Sequence, residues 1–194
     1  MLESHGPRCM GAHADWFAKG AGELVGRLGV RFVVSFAAIA GVLFTIYAFP
    51  FELFGAHADW LHGYLVAYAH VAGGVLGLFE RGLVVDGTLI QGRFAMQIVR
   101  NCDAADINIV FASALLAFPA PLLKKAPLLL AGIALLVAAN VTRLCSLYYV
   151  GVYAPSSFKL AHEEVWPLLL VTFTVGIFAV CLRRLRPAAA SPSQ

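Results

Sequence analysis

Long apolar runs, separated by short polar or turn-forming segments, make up most of the chain. The run at 30–49 is about twenty residues long, which is enough to cross the ~30 Å hydrocarbon core of a bilayer. Three later runs, at 107–118, 128–139 and 165–182, repeat the pattern. The sequence therefore predicts four membrane-spanning helices, the second of which begins near Asp103.

A fifth run, 61–79, is less apolar, because histidines, tyrosines and glycines interrupt it. Basic residues concentrate in short loops on the cytoplasmic side of a membrane protein. The three basic clusters, around Arg31, Lys124 and Arg183, fall on one side only if 61–79 does not cross. We therefore expect an interfacial or re-entrant helix on the outer face, and a fifth span is the alternative.

Two β-prone runs flank Asp86-Gly87, and an Asp-Gly pair in that position is a strong signal for a two-residue hairpin turn. We predict a short extracytoplasmic β-hairpin over 83–90. A further strand over 94–99 leads towards Cys102.

Prolines and charged residues mark the remaining connections. The prolines around 119–121 end the helix 107–118, because proline lacks the N–H that a helix needs. Residues 124–127, which carry two lysines and a proline, predict a tight loop. Residues 144–158 are aromatic and contain glycine and proline, which predicts turn-rich structure.

Composition agrees with a membrane location. Hydrophobic residues account for 60% of the chain and charged residues for 13%, whereas a soluble domain carries roughly a quarter charged residues. The formal net charge is +3 and the basic residues lie at predicted membrane edges, which argues against a nucleic-acid partner. We predict an all-α integral membrane protein, a bundle of four or five transmembrane helices with the interfacial or re-entrant helix and the hairpin. Its parts are a cytoplasmic N-terminal tail (1–28), a membrane-embedded domain (29–186) and a disordered C-terminal tail (187–194).

Three reactive side chains reach the same depth in this topology. Cys102 and Arg143 each lie about twenty residues from Lys124, on the two arms of a helical hairpin, and at ~1.5 Å per residue both return to its outer end. His162 directly precedes the last span, which starts on that side. The chain is therefore predicted to gather a cysteine, an arginine and a histidine near the outer lipid–water boundary.

These residue types suit acyl transfer through a thioester. A cysteine thiolate is a strong nucleophile, and histidine takes and returns a proton near neutral pH. Arginine stays protonated, so it stabilises a thiolate, a carboxylate or a developing oxyanion. Taken singly, Arg143 also suits a snorkelling interfacial anchor, and His162 also suits a hydrogen bond to a loop carbonyl. The sequence implies no cofactor, and its cysteines show no metal-binding spacing.

The spacing of these residues resembles the exosortase/archaeosortase family, including its H-type exosortases. In that family a cysteine starts one span at the outer face, an Asn-x-x-Arg ends the next span, and a histidine starts the last. The matching positions here are Cys102, Asn140-Val141-Thr142-Arg143 and His162. The segments 117–122 and 144–151 are also similar to the H-type exosortases.

The resemblance implies a membrane cysteine protease or transpeptidase. Its substrates would be secreted proteins with a C-terminal sorting signal, made of a short motif, an apolar helix and a basic end. They would be processed at the periplasmic face of the bacterial inner membrane. We also hypothesise that the hairpin 83–90 and the strand 94–99 pair with an extended substrate segment. Cys102 would attack the peptide carbonyl, Arg143 would stabilise the charge and His162 would transfer the proton. The residues expected to support this site are Asn140, Asn101 and Asp103.

One position departs from the family pattern. The family places a small polar residue and then glycine after the cysteine, where this chain has Asp103-Ala104. Glycine allows close backbone approach and unusual backbone angles, and a carboxylate beside a thiol opposes thiolate formation. Two other functions therefore stay open: a catalytically degenerate membrane scaffold or assembly factor, and a thiol redox protein that pairs Cys102 with Cys145.

Overall fold

Six α-helices and a small antiparallel sheet form the part of the chain that the structure describes. The computed structural model describes residues 11–48 and 57–185, with side chains at 29–47, 62–100 and 102–185. The predicted C-terminal tail lies outside these ranges. The helices are α1 (Gly11–Ala48), α2 (His57–Gly77), α3 (Ala105–Ala117), α4 (Leu122–Tyr153), α5 (Phe158–Leu160) and α6 (Trp166–Leu185). Three helical turns of other kinds join them: 3₁₀ turns at Arg100–Cys102 and Pro155–Ser157, and a π-helical segment at Ala161–Val165.

Apolar length separates the helices that can cross a membrane from α2. Among the described residues, three stretches are long and apolar enough to cross, namely Gly29–Tyr47 within α1, all of α4, and the helical run Pro155–Leu185. Helix α3 is a shorter apolar helix. The four predicted apolar helices are therefore present, but α3, with 13 residues, is shorter than a membrane span requires. Helix α2 is not among these stretches, and it contains His62 and His70.

Two helices are longer than the apolar pattern predicts. Helix α1 begins at Gly11, so residues 11–28, which the sequence assigns to the N-terminal tail, continue the helix that holds the first span. Helix α4 runs without a break over 32 residues. The predicted loop at 124–127 and the predicted turns in 144–153 are therefore wrong.

The start of α4 explains the first of these errors. Pro121 precedes the helix with an extended backbone, so the chain reverses direction before the lysines. Lys125 is only 5% exposed, and its Nζ donates a hydrogen bond to the carbonyl oxygen of Leu116 at 2.6 Å. Leu116 lies in the last turn of α3, whose carbonyl groups have no partner within the helix. The second lysine therefore caps the neighbouring helix and does not form a loop.

Gly151 explains the second error, because it permits close packing and not a turn. A Cβ atom at this position would lie 2.6 Å from the ring of Phe94. That ring packs edge-on against Tyr148 with 6.3 Å between centroids. The Tyr148 hydroxyl, fully buried, accepts a hydrogen bond from the backbone N–H of Arg93 at 2.9 Å. The aromatic residues of this segment thus form one helix face that binds the sheet.

The sheet contains β1 (Val84–Asp86), β2 (Leu89–Gln91) and β3 (Met96–Gln97) in that order, all antiparallel. The predicted hairpin is confirmed, but Asp86 pairs with Leu89, so the turn residues are Gly87 and Thr88. Gly87 has φ +57°, as the first central residue of a type II′ turn requires. The predicted strand 94–99 is shorter, with only two residues in the ladder.

Two buried clusters stabilise the described part of the chain. The inner one joins α3, α4 and α6 through Phe111, Leu136 and Cys181. The outer one joins α2, the sheet and the later half of α4, and its centre contains Ile90 and Tyr148. Cys102 belongs to the outer cluster. The packing of the sheet against α2 and α4 therefore sets the position of the turn that ends at Cys102.

Candidate active site

Three separate elements meet at Cys102. The cysteine ends the 3₁₀ turn that leads into α3, where its backbone N–H donates to the carbonyl oxygen of Val99 at 2.7 Å. Its thiol is 7% exposed, and Sγ lies 3.8 Å from Nε2 of His162. The structure thus brings together a thiol and an imidazole that are sixty residues apart in sequence.

His162 lies in the π-helical segment that precedes α6. Its imidazole ring stacks on Phe158, with 5.9 Å between centroids and 14° between the planes. The wider π-helical turn is rare and is frequent at functional sites. Because the ring is held by stacking, Nε2 keeps a fixed direction towards the thiol. This contact differs from the loop-carbonyl bond that the sequence left open for His162.

Arg143 and Asn140 lie one turn apart on α4, where residues at i and i+3 share a face. Asn140 is fully buried. Its Nδ2 donates to the carbonyl oxygen of Cys102 at 2.9 Å, and its Oδ1 accepts a longer bond of 3.4 Å from Arg143 Nη1. One amide side chain therefore joins the backbone of the cysteine to the guanidinium group.

Arg143 does not reach water. It is only 5% exposed, whereas a snorkelling arginine keeps its charged group in water. Its charge interacts with the Cys102 thiol and with the carboxyl groups of Asp106 and Asp103. The Nε atom is buried and has no hydrogen-bond partner among the described residues. A buried donor without a partner costs about 1–3 kcal/mol, so this group is poised to bind an acceptor that enters the site.

The family model for transmembrane exosortases matches residues 12–186. The chain belongs to the transmembrane exosortase family. No curated protein and no solved structure matches it. The match covers every described residue that forms the site, and it makes the chain a multi-pass membrane protein.

Asp103 directly follows the cysteine, and the structure shows how its carboxyl group is accommodated. Asp103 is 2% exposed. Its Oδ2 accepts a hydrogen bond from the Tyr47 hydroxyl at 2.8 Å, and its Oδ1 accepts one from the backbone N–H of Ala105 at 3.0 Å. Burial raises the pKa of the Asp103 carboxyl above its ordinary value, and these two hydrogen bonds oppose that rise.

Two tyrosines in this site were not predicted from the sequence. Tyr47 ends the first span, where a single tyrosine is typical of an interfacial aromatic belt. Tyr68, on α2, is 7% exposed, and its hydroxyl lies beside the side chains of Tyr64 and Asn140. Neither is adjacent in sequence to a reactive residue, and for Tyr47 only the contacts reveal its place in the site. A signal that could have found Tyr68 is its place in the interrupted apolar run.

Two other candidates have less to contribute to the site. Asn101 lies inside the 3₁₀ turn, directly before the cysteine. That it supports the active site stays a prediction. Cys145 donates to the carbonyl oxygen of Ala72 at 3.8 Å and packs against α2, whereas the Cys102 thiol faces His162. The contacts of these two cysteines therefore give no support to a redox pair.

Proposed function

We propose that this exosortase is a membrane cysteine protease or transpeptidase, with Cys102 as nucleophile and His162 as general base and acid. His162 takes the thiol proton, and the thiolate attacks the carbonyl carbon of the scissile peptide bond. Collapse of the tetrahedral intermediate breaks the C–N bond and leaves a thioester on Cys102. The amine of the released C-terminal fragment takes the proton from His162. Water or an amine then attacks the thioester and returns the proton to Cys102.

The observation that carries this proposal is the 3.8 Å contact between Cys102 Sγ and His162 Nε2. A nucleophile and its base lie within hydrogen-bond reach of each other, and the distance is often longer when no substrate is present. A sulfur atom is larger than oxygen, so this contact is close enough for proton transfer after a small adjustment. Histidine suits the task because its ordinary pKa lies near neutral pH.

Arg143 is the group that we assign to the developing negative charge. Its free Nε offers a donor to an oxyanion, and the low exposure of the side chain removes competition from water. Electrostatic stabilisation of this kind contributes most where water is excluded. Asn140 bonds to both Arg143 and the carbonyl of Cys102, so the guanidinium donor and the nucleophilic cysteine keep a fixed position relative to each other.

The orientation that we propose places the site at the periplasmic face of the bacterial inner membrane. The exposed Lys124 lies in the first turn of α4, and Arg183 and Arg184 lie in the last turn of α6. Cys181 and Leu185 share the inner cluster with Phe118 and Ala120 of the α3–α4 connection, so both basic segments lie at one end of the bundle. Positive charge of this kind marks the cytoplasmic end, so the site lies at the opposite end.

The substrates that we propose are secreted proteins with a C-terminal signal, made of a short motif, an apolar helix and a basic end. The edge strand β3 offers a place for an extended segment. Ile98 N donates to Thr88 O, directly before the neighbouring strand β2, at 2.8 Å. Because successive residues of a strand direct their backbone groups to opposite sides, the N–H and C=O of the exposed Gln97 point to the free edge of the sheet. Gln97→Pro, which removes that N–H, is expected to lower processing, whereas Gln97→Ala is not. Equal processing by both variants would refute the proposal that the substrate pairs with β3.

The test is processing of a secreted reporter that carries the C-terminal signal of a secreted protein from the same cell. Cys102→Ala, His162→Ala and Arg143→Ala are each expected to abolish cleavage while the protein still inserts in the membrane. Two matched controls are Cys181→Ala and His70→Ala, because Cys181 lies in the inner cluster and His70 is exposed. Cleavage by Cys102→Ala at the parental rate would refute the nucleophile assignment and favour a scaffold function.

A further inference from the structure

The turn that carries Cys102 ends in a backbone conformation that favours glycine, yet alanine occupies it. Ala104 has φ 52° and ψ 29°, in the left-handed region, directly after Asp103 at φ −87° and ψ −11°. Ala104 is the one described residue other than glycine with a positive φ. A side chain with a Cβ atom is disfavoured there. Such a residue persists only when its surroundings hold it in place.

Asp103 supplies part of that support. A right-handed residue followed by a left-handed one turns successive backbone N–H groups towards one point, which forms an anion-binding hollow. The anion in this hollow is the carboxylate of Asp103 itself. Its Oδ1 accepts from Ala105 N at 3.0 Å, and the backbone N–H of Asp103 also interacts with it. The carboxylate thereby stabilises the left-handed conformation of Ala104.

Tyr47 supports the same turn from helix α1. Its hydroxyl donates to Asp103 Oδ2 at 2.8 Å and lies 3.3 Å from the carbonyl oxygen of Arg100. In return, Arg100 Nη2 donates to the carbonyl oxygen of Tyr47 at 3.3 Å, with its guanidinium 5.4 Å from the centre of the ring. The end of α1 is therefore bound to both ends of the segment 100–103.

We propose that Asp103 and Tyr47 are positioning residues that hold the Cys102 turn, and that the pair takes over the part that glycine at 104 would play. The proposal rests on the proposed function in taking Cys102 as the nucleophile. Because the Asp103 carboxylate fills the hollow, the converging N–H groups cannot bind an oxyanion. Arg143 is then the group that stabilises the negative charge of the tetrahedral intermediate.

The test is the coupling between positions 103 and 104 in the full chain, in membranes. The parent for labelling has Cys102 as its single cysteine, with the other three changed to serine. Two quantities are measured: the rate at which N-ethylmaleimide alkylates the Cys102 thiolate, corrected for the ionised fraction from its pH profile, and processing of the secreted reporter. Asp103→Ala removes the hydrogen bonds to a charged group that hold the Cys102 turn. The thiol is then expected to be more accessible and less well placed, so alkylation is faster and processing slower, each by about ten- to a hundredfold.

The second substitution separates positioning from a general loss of structure. Adding Ala104→Gly to Asp103→Ala is expected to restore both rates to within about threefold of the parent, since glycine adopts the left-handed conformation unaided. A merely structural loss would not be repaired by removing a methyl group. If Asp103→Ala does not accumulate, Tyr47→Phe decides, with an expected change of about three- to tenfold in both rates. Asp86→Asn, which removes the charge of an exposed carboxylate in β1, is the matched control and leaves both unchanged.

Parental rates in Asp103→Ala, or no restoration by Ala104→Gly, would overturn the proposal. If Tyr47→Phe shows parental rates, Tyr47 is not a positioning residue. If the alkylation rates follow the expected order while no variant, parent included, processes the reporter, the proposed function fails and the positioning stands. The two failures are therefore distinguishable.

Discussion

Asn140 offers the sharpest test of how the site is assembled, because one side chain serves two partners. In Asn140→Ala, the carbonyl oxygen of Cys102 and Nη1 of Arg143 both lose a bond inside a buried site. Each buried group left without a partner costs about 1–3 kcal/mol. Even the lower figure for both groups together amounts to more than a tenfold effect. The variant is therefore expected to process the reporter at less than a tenth of the parental rate.

Asn140→Asp separates the two partners. A carboxylate keeps an acceptor for Arg143, but it removes the donor and directs an oxygen at the carbonyl of Cys102. We expect it to be at least as impaired as Asn140→Ala in processing, although its thermal midpoint in detergent is expected to fall less. Asn140→Gln is longer by one methylene in a fully buried position, so it is also expected to be impaired.

Thr142→Ala is the control for this series. Thr142 is exposed two residues further along the same helix, and its hydroxyl donates to Ala138 O at 2.9 Å. It is expected to leave processing and thermal midpoint unchanged. Processing by Asn140→Ala at the rate of Thr142→Ala would refute the view that the amide joins the nucleophile to the arginine.

Two further predictions concern packing and are measured as thermal unfolding in detergent. Gly151→Ala is expected to lower stability by about 1–3 kcal/mol, because its Cβ would lie 2.6 Å from the Phe94 ring. The control, Gly176→Ala, meets nothing within 4 Å and is expected to gain up to about 1 kcal/mol as a helix substitution; equal changes in the two would contradict the packing at Gly151. Lys125→Met, which removes the cap on the last turn of α3, is expected to cost about 1–3 kcal/mol, whereas Lys124→Met at the exposed neighbour is not; a stable Lys125→Met would show that the cap contributes nothing.

The apolar runs predicted the four helices because burial in lipid requires long uninterrupted apolar segments. The hairpin was predictable from local turn chemistry at Gly87, although its register was displaced by one residue. Helix ends were predicted less well. Lys125 and Gly151 resemble loop residues in sequence, but each makes its contact with another element, a helix end in one case and an aromatic ring in the other.

In the candidate site, too, the sequence predicted the general location of residues better than their contacts with distant residues. Charge topology predicted that Cys102, Arg143 and His162 lie at one depth, since helix length converts sequence distance into height. It did not predict the contact partners of Asp103, because Tyr47 is more than fifty residues away. The pair Asp103-Ala104 was visible in the sequence, but the left-handed backbone at Ala104 was not.

The π-helical segment before α6 has a consequence for how the last helix can vary. Within it, Trp166 N bonds to the carbonyl of Ala161, so one residue more than in an α-helical turn separates the bonded groups. Each residue of an α-helix adds about 100° of rotation. The wide turn takes up the extra residue, so a one-residue deletion inside it would regularise the helix without that rotation of α6. The segment therefore lets a one-residue change in length fall beside His162 while α6 keeps its orientation, and such a change would alter only the local direction of the imidazole.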